Sequence, residues 1–172
     1  MLSGDNVSEF IRGTLLVKIK EDLTGLRIFN KADLLAAAYY HSRRYFLTLP
    51  GWMLRVNPDL QGKKPDLVVF QNNEPRAFLQ FESSLVSKQY RYFPMMIFDE
   101  KMTLLRNVTS LYKNKGIRGW LFGIYDTDES IFFPTIKDKD VQFTFWIPVN
   151  VRELRDYALW RKKWDELKAQ LF

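Results

Sequence analysis

Cysteine is absent from the 172 residues, and histidine occurs once, as His41. Without a thiol there is no disulfide framework, no cysteine nucleophile, no Cys-ligated zinc and no iron–sulfur cluster. A single imidazole excludes a multi-His metal site and gives little support to a Ser-His-Asp relay. No apolar run reaches the roughly 18–20 residues that span a bilayer. The opening Met1-Leu2-Ser3-Gly4-Asp5 lacks the basic-then-apolar pattern of a secretory signal. The expected setting is therefore cytoplasmic, with no membrane partner. Pro/Gly/Ser-rich linkers, repeats and low-complexity stretches are also missing, so one domain is expected over residues 1–172.

What remains for chemistry is mainly the carboxylates and the lysines. Lys and Arg number 26 against 20 Asp and Glu, a net charge of +6. A basic excess favours polyanionic partners, nucleic acid first, because neutralising phosphates releases counterions. The basic residues are spread along the chain rather than massed in a tail. Aromatics are plentiful, with 14 Phe, 8 Tyr and 5 Trp, so a core can form without cross-links.

Apolar spacing predicts helices over Ser8 to about Asp22 and over Lys31 to about Phe46. Asn30 is placed to cap the second, with Asp33 three residues on, and Arg43 and Arg44 fall in its last turn. Strands are expected at Trp52 to Val56, Asp66 to Phe70 and Arg76 to Glu82, with the polar stretch 71–75 turning the last two into an antiparallel hairpin. A helix from about Glu100 to Asn114 should present Met102, Leu105, Val108 and Tyr112 on one face, ending at Gly116. Strands follow at Ile117 to Tyr125 and Val141 to Ile147, and a last helix runs from Asn150 to about Gln170. The fold class expected is α/β: a mixed central β-sheet flanked by helices on both faces.

The informative stretch is Gly62-Lys63-Lys64-Pro65-Asp66-Leu67-Val68-Val69-Phe70, followed by Phe78-Leu79-Gln80-Phe81-Glu82. Side chains alternate along a strand, so Gln80 and Glu82 share one face and Leu79 and Phe81 the other. Asp66 opens the neighbouring strand. In a hairpin these three polar groups converge at one end of the sheet, where several hard oxygens suit a divalent metal. The plainer alternative makes Asp66 a turn residue after proline and Glu82 an exposed strand end.

Over about residues 30 to 126 the sequence resembles the PD-(D/E)xK, or restriction-endonuclease-like, nuclease superfamily. The resemblance rests on a leading helix, a strand, the Pro65-Asp66 strand, a hairpin partner ending in Gln80-Phe81-Glu82, a helix and an apolar strand. It implies a Mg²⁺-dependent hydrolase cutting phosphodiester bonds in DNA by metal-assisted attack of water. In that family the Pro-Asp aspartate and the acidic residue of an acidic-x-Lys tripeptide hold the metal, and the lysine positions or activates the water. A Glu near the start of the first helix often adds a ligand. The carry-over makes Asp66, Gln80 and Glu82 the metal and catalytic residues, with Lys88 returning the ammonium that the tripeptide lacks. Gln80 stands at the acidic position and Glu82 at the lysine position, so the motif is degenerate. Lys31 or Ala32 falls where the helix ligand would be, with Asp33 as a substitute in a shifted register. The resemblance thus leaves two functions open: a DNA nuclease with an impaired site, or a non-catalytic nucleic-acid-binding or assembly module on the same fold. A homodimer is left open as well.

Lys63, Lys64, Arg43, Arg44 and Arg91 are the expected nucleic-acid contacts. Arg91 lies in Tyr90-Arg91-Tyr92-Phe93, where basic and aromatic residues interleave. His41 is placed on the solvated flank of its helix, and Asp126-Thr127-Asp128-Glu129-Ser130 reads as a solvated turn. Arg161-Lys162-Lys163 reads as a solvated helix face. Gly62-Lys63-Lys64 lacks the upstream glycine and the following Ser/Thr of a phosphate-binding loop.

Overall fold

The computed structural model describes residues 4–25, 27–28, 30–83, 93–112, 117–126 and 142–149. The expected last helix, Lys88, Arg91 and residues 127–141 lie outside these.

The chain begins as one helical rod: α1 (Gly4–Glu9), a π-helical stretch (Phe10–Leu15) and α2 (Leu16–Thr24). In the π stretch the Leu16 N–H donates to the Ile11 carbonyl, five residues back. The rod starts earlier than the apolar spacing predicts. Of the stripe that apolar spacing picks out, Phe10, Ile11, Leu15, Leu16 and Ile19, all are buried except Leu16, which is half-buried against the core. Helix α3 (Lys31–Phe46) matches its expected bounds, and the Asn30 side chain accepts the Asp33 N–H at 2.9 Å. That satisfies one of the orphan donors of the first turn.

Five strands form one sheet in chain order: β1 (Trp52–Val56), β2 (Leu67–Gln71), β3 (Glu74–Ser83), β4 (Arg118–Asp126) and β5 (Gln142–Val149). The pairs β1–β2 and β2–β3 are antiparallel, while β3–β4 and β4–β5 are parallel. The crossover between β3 and β4 contains α4 (Phe93–Ser110). This helix starts before Glu100 and ends at Ser110, short of the expected stop at Gly116. The β2–β3 turn is tighter than the five-residue connection read from sequence. Asn72 and Asn73 alone form it, at φ 52° and 64°. Asparagine tolerates the left-handed region that a two-residue hairpin turn demands. A bulge between Val69 and Phe70 follows, where the partner skips from Ala77 to Pro75 and leaves Arg76 over.

Strand alternation sorts the core into two layers. Leu67, Val69, Ala77, Leu79, Phe81, Trp120, Phe122 and Ile124 pack toward the N-terminal rod and α3. Val68, Phe70, Phe78 and Leu121 pack against Met102, Leu105 and Val108 of α4. The sheet is therefore mixed and covered by helices on both faces, an α/β fold. Gly119 lets α4 sit close, since a Cβ there would lie 3.2 Å from Leu105 Cδ2. Among the described residues no helix is long and apolar enough to cross a membrane.

Candidate functional site

The antiparallel register of β2 on β3 decides where the polar residues go. Leu67 faces Leu79, so Asp66, one residue before β2, falls beside the end of β3 where Gln80 and Phe81 lie. Because β3 and β4 are parallel, this point is also at their carboxyl ends, where ligands of α/β sheets collect.

Asp66 is 8 % exposed and Gln80 is fully buried. Buried polar groups require partners, and these two use one another. With the Gln80 amide oriented to satisfy its neighbours, its Nε2 donates to Asp66 Oδ2 at 2.7 Å and its Oε1 accepts the Asp66 N–H at 3.0 Å. The Phe81 N–H donates to the same Oδ2 at 2.8 Å. The Lys31 ammonium, from the first residue of α3, lies 3.1 Å from it. One carboxylate oxygen thus takes three donors. A cation in a helix's first turn opposes the helix dipole, and Asp66 supplies Lys31 with a counter-charge.

Glu82 lies two residues beyond Gln80, on the face of the sheet that α4 covers. Its register partner on β4 is Gly123, which places no side chain beside it. Glu82 Oε1 accepts the Ser83 N–H at 3.1 Å, and Oε2 lies 4.0 Å from Lys101 Nζ of α4. Asp66 and Gln80 are therefore brought together as the strand reading expects. Glu82 shares their end of the sheet and turns to Lys101.

Lys31 and Lys101 are the residues that sequence reasoning missed in these roles. Lys31 carried a signal, because it stands where the resemblance places a helix ligand, but its charge is opposite. Lys101 carried none, since only the packing of α4 brings it to Glu82. Lys88, expected to supply the ammonium, lies outside the described residues, as does Arg91.

The fit of a divalent cation can be judged from these donors. Two carboxylates face two ammoniums, and the four formal charges cancel. Gln80 Oε1, the oxygen a metal would take, points at the Asp66 N–H. A hard cation needs several free anionic oxygens, and this arrangement does not supply them. Among the described residues no group of three or more His, Asp or Glu could hold a metal.

The expected nucleic-acid residues are dispersed. Lys63 closes a tight turn with Leu60, with backbone hydrogen bonds of 2.8 and 3.1 Å, and is half-buried. Lys64 is exposed, 4.0 Å from Asp59 Oδ2. Arg43 and Arg44 are exposed at the far end of α3 from Lys31.

His41 does not lie on a solvated flank. Its side chain is 14 % exposed, and Nε2 is 2.6 Å from Asp22 Oδ2. Arg27 grips the other oxygen of Asp22 through Nε at 2.7 Å. Apolar packing of α2 on α3 turns His41 inward, and the carboxylate satisfies it. Burial alone would raise the Asp22 pKa. The hydrogen bonds and charges of His41 and Arg27 outweigh burial and hold it below 3.8. A depressed carboxylate pKa stabilises the fold above the unfolded value and loses that contribution as pH falls through the folded value. The melting temperature is therefore expected to drop below about pH 4. Asp22→Asn should flatten that acid limb in a thermal melt series from pH 6 to pH 2, and an unchanged limb would remove Asp22 as its source.

The chain matches no protein-family model, no curated protein and no solved structure.

Proposed function

We propose that the chain is a restriction-endonuclease-like domain that binds nucleic acid without cutting it. The succession α3, β1, β2, β3, α4, β4 supports the likeness, since it is the order the resemblance implies. Pro65-Asp66 enters β2, and Gln80-Phe81-Glu82 ends β3, as that likeness requires. The observation that carries the non-cutting reading is the Lys31–Asp66 pair at 3.1 Å. An ammonium stands where metal-assisted hydrolysis would need a divalent cation. Binding rests on the net charge of +6 and on the exposed Arg43, Arg44 and Lys64. A nucleic-acid partner is in keeping with a cytoplasmic setting. A nuclease reading keeps one observation in its favour: Lys101 puts an ammonium beside Glu82.

The test combines two assays on the purified chain. Labelled DNA should bind, with affinity falling as salt rises. Plasmid and single-stranded DNA should remain intact in Mg²⁺ and in Mn²⁺. Metal-dependent cleavage by the wild type would overturn this reading, and its loss in an Asp66→Asn variant shown by circular dichroism to be folded would establish Asp66 as a residue of the nuclease site.

A further inference from the structure

Helix α3 carries no acidic residue after Asp33. Its exposed positions beyond the first turn are Ala36, Tyr40, Arg43, Arg44 and Tyr45, followed by Leu47 at the cap. Tyr40, Arg43, Arg44 and Leu47 fall at i, i+3, i+4 and i+7, so they form one stripe. This stripe is unusual in what it leaves uncovered. Tyr40 is 54 % exposed and Leu47 50 %. The Arg44 guanidinium lies over the Tyr40 ring, 5.7 Å from its centroid, and donates to its hydroxyl at 3.3 Å. Both acidic residues of the neighbouring helix α2 already have cationic partners: Glu21 pairs with Lys18 at 2.7 Å, and Asp22 is held by His41 and Arg27. Positive charge on this face is therefore not offset by α3 itself, and the two carboxylates of α2 are already paired.

We propose that this α3 stripe binds single-stranded nucleic acid, with a base stacked on Tyr40 and the adjoining phosphates held by Arg43 and Arg44. This rests on the nucleic-acid-binding reading and names its surface and ligand. An exposed ring flanked by cations fits an unpaired strand, because every base offers a π-face and every linkage a negative charge. A duplex hides its bases against one another and gains only the phosphate contacts. Arg44, parked over the ring, is placed to meet the phosphate of a base that stacks there.

Fluorescence anisotropy of labelled oligothymidine, alone and annealed to its complement, tests this. The single strand is expected to bind more tightly than the duplex. Tyr40→Ala should weaken single-strand binding by about 5- to 100-fold, and Tyr40→Phe should leave it near wild type. The double variant Arg43→Ala, Arg44→Ala should weaken binding and flatten the salt dependence by about 0.7 per arginine. All three substituted positions are solvent-facing, and circular dichroism melts should confirm unchanged folding. Wild-type binding that Tyr40→Ala leaves intact would overturn the α3 assignment while the nucleic-acid reading stands. No wild-type binding to either DNA at low salt would overturn the reading itself. Capture of polyglutamate in place of DNA, lost in the double arginine variant, would overturn the ligand class and leave the stripe as a site for acidic protein.

Discussion

Asp66→Ala is expected to destabilise the chain by about 3 kcal/mol, because it removes the acceptor for several donors at once. The Phe81 N–H and the Gln80 Nε2 would be left buried without the acceptor they share, while Gln80 Oε1 keeps the backbone N–H of residue 66. Lys31 contributes less, since its side chain is 34 % exposed and water replaces part of what it loses. Asp66→Asn keeps an oxygen for the Phe81 N–H and should cost less. Urea unfolding measures both. Nucleic-acid affinity of whatever fraction stays folded should be unchanged, since Asp66 is assigned a structural role. A loss below about 1 kcal/mol would mean that the carboxylate is a solvated turn residue and that its bonds contribute little.

Lys31→Glu is expected to reverse the chemistry of the site. It would leave three carboxylates, at 31, 66 and 82, against Lys101 alone. Self-repulsion should destabilise the metal-free variant, and Mn²⁺ should restore it. At a concentration about 100 times the dissociation constant, a bound metal stabilises by about 2.7 kcal/mol. For a chain of this size that is a rise of roughly 5–10 °C in melting temperature. Wild type should show no such shift. Equal shifts in both would mean that Lys31 does not compete with metal. No shift in the variant would place Glu82 too far from Asp66 to share one ion.

Much of this arrangement was legible in the sequence because it follows from period and register. The two-residue period of β3 put Gln80 and Glu82 on one face, and the polar turn after β2 put Asp66 beside Gln80, while Glu82 turns instead to Lys101. Met102, Leu105 and Val108 are fully buried, as the three-to-four-residue spacing of α4 requires. What stayed hidden was set by tertiary contacts. The inward turn of His41 depends on how α2 packs on α3, and no local pattern distinguishes it from a solvated histidine. Lys31 follows the cap at Asn30, so propensity explains its helix but not its reach to Asp66. The pairing of Lys101, inside α4, with Glu82, near the end of β3, depends on how α4 packs on the sheet and has no local signature. The π stretch at Phe10–Leu15 also has no residue signature beyond Gly13, which weakens the helix there.

The most direct measurement is anomalous diffraction from crystals of the wild-type chain grown in Mn²⁺. The expected map has Lys31 Nζ within hydrogen-bond reach of Asp66 and no anomalous peak beside that carboxylate. A Mn²⁺ peak bound by Asp66 and Glu82, with Lys31 swung out to solvent, would contradict the claim that the site carries its own cation.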